Sequence, residues 1–416
     1  MGGGPTAATS ILLGLAIGVS AQALTPECTA ADATVEFLRC GVCQTAPLLV
    51  ALQQVSPSNA SLLCGGDSVT AARVYDWSVD AIVGAAEFQG DFFLGGGVEI
   101  NATTCLRHLV ANMPRRDLLL LFTNTLPFVD FLVETVREAV RVWPTALKYG
   151  ASWATFLDTV LPYAVLDEKR DLGWHGRRRL RIAFIGYPGR TNVSNTTLPP
   201  PLATAPNATA AMHTLVRLLP FLMIDGHSTF ATPQADVVVS GNTVNWKSES
   251  SPAMLSPEQV VEYGGASCTG TAVILVAAAR AVGIPARIAG CSQSIVPGDD
   301  HHWVEFFDSS DAGPLGDFWH TKEGVSRGNE GGPWDSLSGP MSGCMRGVTP
   351  RDTLNTIWAA SWSSTTYLPL QWSNTKTAAT WSFLGGVNRC GAYCTAFGCG
   401  ANQSSHWTDA ECAPRG

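Results

Sequence analysis

Residues 271–282 read Thr-Ala-Val-Ile-Leu-Val-Ala-Ala-Ala-Arg-Ala-Val, with Arg280 as the single charged side chain. No turn former interrupts the run, and Gly283 closes it. A helix that is apolar on nearly every face must be covered on nearly every face, so the chain has to supply other layers around this segment. The punctuation on both sides agrees. In Ser256-Pro257-Glu258-Gln259, serine suits an N-cap, proline the first helical position and an acid the first turn. A helix is predicted to start there, to turn Val260 and Val261 inward and to stop at Gly264-Gly265, where glycine takes a left-handed turn readily. Ala266-Ser267-Cys268-Thr269-Gly270 leads into the buried helix, and Ile284-Pro285-Ala286-Arg287-Ile288-Ala289 leaves it as a strand.

This grammar puts Cys268 at a helix N-terminus. The partial positive charge of that end favours a thiolate, the reactive form of cysteine. On this segment alone, Cys268 reads equally as a nucleophile and as a disulfide partner or packed thiol. Downstream, the alternation in Asp299-Asp300-His301-His302-Trp303-Val304-Glu305-Phe306-Phe307 predicts a strand. His301, Trp303 and Glu305 share one face, and His302, Val304 and Phe306 the other. A cysteine nucleophile needs a base in hydrogen-bond reach, and His301 is the candidate. Phe318-Trp319-His320-Thr321-Lys322-Glu323 reads as the return strand. A hairpin centred on Ala312 pairs His301 with Glu323, which makes Glu323 the candidate for the acid that orients the imidazole. Asp335 is the alternative, and Asp308 lies too near the turn. A solvent-exposed strand-end charge is an equal reading of Glu323.

The 416 residues are 46% hydrophobic and 14% charged, which excludes a largely disordered chain. A net charge of −8 argues against a nucleic-acid partner. Lys169, Arg170, Arg177, Arg178, Arg179 and Arg181 form a short basic cluster, read as a solvated face. Residues 11–19 are apolar and precede Ala21-Gln22-Ala23, the pattern of a secretory signal with a small-residue cleavage site. The run is shorter than the ~20 residues of a spanning helix, and no later run qualifies, so stable membrane insertion is not expected. Of the 12 cysteines, Cys28, Cys40, Cys43, Cys64 and Cys105 cluster near the start and Cys344, Cys390, Cys394, Cys399 and Cys412 near the end. In an exported chain such clusters predict disulfides. With Cys268 set aside an odd number remains, and Cys291 is the expected second unpaired thiol. Asn-x-Ser/Thr sequons at Asn59, Asn101, Asn192, Asn195, Asn207 and Asn402 fit a secreted glycoprotein.

The chain divides on this reading into a signal peptide (1–23), a cysteine-containing N-terminal region (24–115), a helical region (116–187), a Thr/Pro/Asn-rich loop (188–210), a core carrying the chemistry (211–345) and a Trp/Cys-rich C-terminal region (346–416). In the helical region, Phe128, Phe131, Leu132, Val136 and Val140 recur at helical spacing until Pro144, and a second helix runs over 153–161 and stops at Pro162.

Gly264-Gly265-Ala266-Ser267-Cys268-Thr269-Gly270, with Ala279-Arg280-Ala281-Val282-Gly283-Ile284-Pro285-Ala286-Arg287, resembles the transglutaminase-like core. His301-His302-Trp303-Val304-Glu305 is similar to that family's H-x-W-V-E strand, and Trp319 with Glu323 to its W-x-x-x-D strand, with Glu where Asp is usual. The resemblance spans roughly residues 245–335. It implies an α+β, papain-like fold, a Cys-bearing buried helix on an antiparallel sheet, with a Cys268–His301–acid triad. It implies acyl transfer or hydrolysis on a protein or peptide substrate, with neither cofactor nor metal. Peptidase or amidase chemistry is the first expectation. A cross-linking transglutaminase and a catalytically inactive secreted binding glycoprotein are the alternatives, since the fold is shared among all of them.

Overall fold

The computed structural model describes residues 92–95, 98–113, 117, 125–185, 202–219, 244–246, 254–291, 301–313, 315–322, 357–362, 367–369, 381–389 and 392–393. The chain forms two compact units, 1–137 and 138–416. In the first, strands β1 (Phe92–Gly95) and β2 (Val98–Asn101) make an antiparallel hairpin. Helix α1 (Ala102–Ala111) follows at once, capped by the Asn101 side chain, which accepts the Thr104 N–H at 3.2 Å. Helix α2 (Thr125–Arg141) runs across the boundary between the units and buries Phe128, Leu132, Val136 and Val140, the spacing expected from the sequence.

Cys105 corrects the disulfide expectation for that residue. It is a free thiol, fully buried on the face of α1 that also buries Leu106 and Leu109. Burial pushes the thiol up to about 12. Cys105 thus joins Cys268 as a free thiol among the described residues, and the side chain of Cys291, the expected second unpaired thiol, lies outside them. Setting both Cys105 and Cys268 aside leaves an even number. Cys28, Cys40, Cys43, Cys64, Cys344, Cys390, Cys394, Cys399 and Cys412 lie outside the described residues, as do the signal-like segment and the sequons at Asn59, Asn192, Asn195 and Asn402.

The second unit packs helices on one antiparallel sheet. Its helices are α3 (Trp143–Lys148), α4 (Trp153–Thr159), α5 (Gly176–Ile185), α6 (Ala208–Leu218), α7 (Pro257–Tyr263) and α8 (Cys268–Ala281). Asn207 caps α6, its side chain accepting the Ala210 N–H while its amide donates to Ser310 Oγ. Two short strands, β3 (Asn245–Trp246) and β4 (Gly265–Ala266), pair in parallel. The main strands are β5 (Ala286–Cys291), β6 (His301–Phe307), β7 (Trp319–Lys322), β8 (Ile357–Ser361), β9 (Tyr367–Pro369) and β10 (Trp381–Asn388). They lie in the order β7-β6-β5-β8-β10-β9, every neighbouring pair antiparallel. Strand β5 begins at Ala286, two residues later than Ile284. Pro285 has no N–H to give a ladder, and its carbonyl accepts the Phe307 N–H at 2.9 Å.

Helix α8 is surrounded as its composition demands, by α5, α6 and α7 and by β5 and β6. Its one charge is buried too. The Arg280 guanidinium donates to the carbonyls of Thr159, Pro162, Ala164 and Ala286. Arg177 reaches the neighbouring carbonyls of Val160, Leu161 and Pro162. Glu168 accepts the Val165 and Leu166 N–H groups at 2.9 and 2.6 Å, with Arg170 against it at 3.3 Å. The basic cluster thus departs from the solvated face expected of it. Arg170 and Arg177 face inward and Arg181 pairs with Glu138. The physical reason is the irregular segment at 159–168, whose carbonyls have no helix partners and need buried donors. Burial, joined by the charge of Arg280, lowers Arg177 to about 9, and burial lowers Arg280 to about 10 against the pull of Asp158 and Glu168.

Candidate active site

The turn into α8 is fixed by local chemistry. Ser256 and Gln259 form a reciprocal capping box at the start of α7, and Gly264 ends that helix in a left-handed conformation at φ +68°. Val260 is fully buried as expected, while Val261 is only half-buried. The Gly265 and Ala266 backbone is held by β3, and Ser267 is the extended N-cap of α8, making no side-chain capping bond. Cys268 is the first helical residue, a free thiol and partly exposed. Its carbonyl accepts the Thr271 hydroxyl at 3.0 Å. Gly270 permits this tight entry, because a Cβ there would lie 2.5 Å from the Ala266 methyl. The first-turn N–H groups of α8 therefore begin at Cys268 itself, and such helix-start donors can receive an oxyanion.

Strand β6 begins at His301, which is also partly exposed. The expected alternation holds. The His301 ring lies 6.0 Å from that of Trp303, whereas His302 is buried on the opposite face. That opposite face is the one α8 covers, and the contact is polar: His302 Nδ1 and Thr269 Oγ1 share a hydrogen bond of 3.0 Å. Burial, reinforced by His301, lowers His302 to about 3 and keeps it neutral. The starts of α8 and β6 are therefore brought together, with Cys268 and His301 each next in chain to one member of the bonded pair.

The return strand pairs Val304 with Lys322, Glu305 with Thr321, Phe306 with His320 and Phe307 with Trp319. These pairs centre on Gly313 and correct the expected centre at Ala312. The turn carries left-handed residues at Gly313 (φ +67°), Gly316 (φ +75°) and Phe318 (φ +65°), which take up the two extra residues. The shift moves each partner by two positions, so side chains keep their faces. Glu323 and Asp335 lie outside the described residues. Asp308 has a separate job. It accepts two bonds each from Thr209 and Ser310, and these outweigh burial and hold the carboxyl below the usual range.

A cysteine opening a buried helix, packed on a strand that a histidine opens, with Arg287 facing Glu305 across the sheet, is the geometry on which the sequence comparison bears. Residues 229–320 match the transglutaminase-like superfamily. The chain carries a transglutaminase-like domain. The matched stretch includes Cys268 and His301 and ends before Glu323. No curated protein and no solved structure matches the chain.

Two residues beyond that match, Arg389 and Tyr393, bond to side chains within it. Glu305 is fully buried and sits between two guanidiniums, Arg287 at 2.8 Å and Arg389 at 3.0 Å. Arg389 extends the chain of charges to Asp317 at 2.6 Å, and the Arg287 guanidinium lies 3.8 Å from the Trp319 ring centre. Trp303 donates its indole N–H to the Tyr393 hydroxyl at 2.7 Å. Arg389 and Tyr393 went unforeseen in the sequence, since no local pattern marks a residue 84 positions away as the partner of Glu305. Among the described residues no cluster of His, Cys, Asp or Glu could hold a metal ion, and no helix is long and apolar enough to cross a membrane.

Proposed function

We propose that the transglutaminase-like domain performs cysteine-dependent acyl transfer or hydrolysis at peptide or amide bonds of an exported protein's substrates, with Cys268 as nucleophile, His301 as base and Glu323 as the orienting acid. In the first step the Cys268 sulfur bonds to the amide carbonyl carbon and the C–N bond breaks. The thiol proton passes through His301 to the departing amine. In the second step a water or an amine attacks the thioester, gives its proton to His301 and releases the acyl group, and the thiol is restored. Hydrolysis is the favoured outcome, because water needs no groove of its own. The observation carrying the proposal is the meeting of the α8 and β6 starts, which sets a free, partly exposed thiol and a partly exposed histidine beside one buried hydrogen bond.

The test is alkylation of the native, unreduced protein with iodoacetamide, followed by mapping of the modified cysteine. The reading expects rapid labelling at Cys268 and its loss in His301→Ala. An unreactive Cys268, or labelling indifferent to His301→Ala, would sink it. Incubation with a protein substrate such as casein then separates the chemistries, new peptide termini marking hydrolysis of the main chain and ammonia marking cross-linking or deamidation at side-chain amides.

A further inference from the structure

We propose that Thr269 and His302 form a positioning pair that sets Cys268 against His301, an inference that rests on the acyl-transfer reading above. Elsewhere α8 meets β5 and β6 through apolar residues such as Ile288, Val304 and Phe306, which are fully or almost fully buried. Apolar contacts fix distance but are indifferent to rotation. A hydrogen bond fixes direction. Two buried polar side chains cost more than an apolar pair unless they bond to each other, and here the bond falls at the point where direction matters. Thr269 and His302 are 5% and 1% exposed, while Cys268 and His301, one residue away along each chain segment, both reach solvent.

The sheet is shaped around this imidazole. Gly290 lies directly opposite His302 on β5. A Cβ at that position would stand 2.6 Å from His302 Cδ2 and 3.2 Å from Nε2, so any other residue would displace the ring. Glycine weakens a strand interior and commonly marks a close approach by another group. The ring is also held neutral by its burial. It therefore keeps one N–H and one acceptor nitrogen over the working pH range, and Thr269 bonds to Nδ1 as donor or acceptor according to tautomer. The first turn of α8 is then pinned on two sides, by Thr269 to the sheet and by Thr271 to the Cys268 carbonyl. His302 acts through its neighbours and touches no substrate.

Iodoacetamide alkylation of the native full chain at neutral pH is the probe, read as the rate at Cys268. Thr269→Val preserves shape and removes the hydroxyl, and should slow labelling about tenfold, the scale of one lost buried hydrogen bond. Thr269→Ser should restore the rate to within about twofold of the parent, and His302→Asn, which keeps a polar atom near the Nδ1 position, should do the same. A merely structural pair would lower the unfolding midpoint of Thr269→Val while leaving the rate of the folded protein unchanged, and that result would overturn the proposal. A folded His302→Asn that loses reactivity would also overturn it, by making the imidazole itself the base. A parent protein whose Cys268 is unreactive removes both this inference and the acyl-transfer reading. A reactive parent with an unaffected Thr269→Val removes this inference alone.

Discussion

Replacing Arg389 with methionine should cost the protein about 3 kcal/mol. The Glu305 side chain is 0% exposed, so its carboxylate depends wholly on protein partners. Arg287 at 2.8 Å and Arg389 at 3.0 Å are the two cations that compensate it. Breaking a buried ion pair by removing one member costs ~3–5 kcal/mol, because the other charge is left without solvent or partner. Arg287 stays in place in the variant, which puts the loss at the lower end. Asp317 adds at most ~1 kcal/mol, since its side chain is 40% exposed and rehydrates when Arg389 leaves. Burial works against the charge on Arg389, and Glu305 and Asp317 overcome it and raise the guanidinium above its ordinary range, consistent with a tightly held pair. At about 2–4 °C per kcal/mol for a domain of this size class, the unfolding midpoint should fall by about 6–12 °C. Thermal and urea unfolding of the full chain measure it. Glu305→Gln in the same background should cancel much of the loss, because the orphaned charge is gone, giving a coupling of about 1–3 kcal/mol in a double-mutant cycle. A loss below about 1 kcal/mol, or losses that simply add, would refute the reasoning.

Three further outcomes are expected. Arg280→Leu strands the carbonyls of Thr159, Pro162, Ala164 and Ala286 inside the protein. It should cost ~3 kcal/mol or more, read as lost soluble yield and a lowered urea midpoint, and an unchanged midpoint would count against the buried donor role. Cys105, its thiol raised to about 12 by burial, should resist iodoacetamide in the native protein and react only in denaturant. Native labelling there would show that α1 opens. The pH dependence of stability should contain two opposed slopes. Burial raises the Asp171 carboxyl to about 6, against bonds from Ser256 and the Glu258 N–H. The folded state then holds that proton more tightly than the unfolded chain, so its contribution is present in acid and lost as pH rises through about 6. For His302 the sign reverses, with the contribution complete above 6.5 and lost as pH falls towards 3. Asp171→Asn should remove the first slope and His302→Asn the second, and urea midpoints that stay parallel across this range in either variant would contradict the assignment.

What could be read from the sequence was what local chemistry decides. The Ser256 cap, the Gly264 stop and the start of α8 at Cys268 are all written within a few residues of where they act, and the structure agrees with each. The alternation of β6 likewise told which residues share a face with His301. It could not tell which face α8 would cover, because that depends on packing against distant segments. Hence His302 drew attention only as a neighbour, and its bond to Thr269 emerged from the fold. The hairpin centre moved from Ala312 to Gly313 for a related reason. Phe318 adopts a left-handed conformation that no residue preference would assign to phenylalanine. The basic cluster was misread because composition does not record which carbonyls lack donors. Arg170 is buried, and the Arg177 guanidinium turned inward, by the needs of the 159–168 segment, not by anything in their own neighbourhood.

The position of β5 between β6 and β8 has a consequence for synthesis. Strands β5 and β6 leave the ribosome together and can pair as a hairpin. The other side of β5 waits for β8, which ends at Ser361. At ~5–20 residues per second, the nascent chain carries that open backbone edge for roughly 3–10 s after β6 is complete. An unpaired strand edge is a template for any other strand that meets it first. The yield of folded protein should therefore depend on how fast the ribosome crosses the stretch between Phe307 and Ser361, a property that substitution of synonymous codons alters without changing one residue.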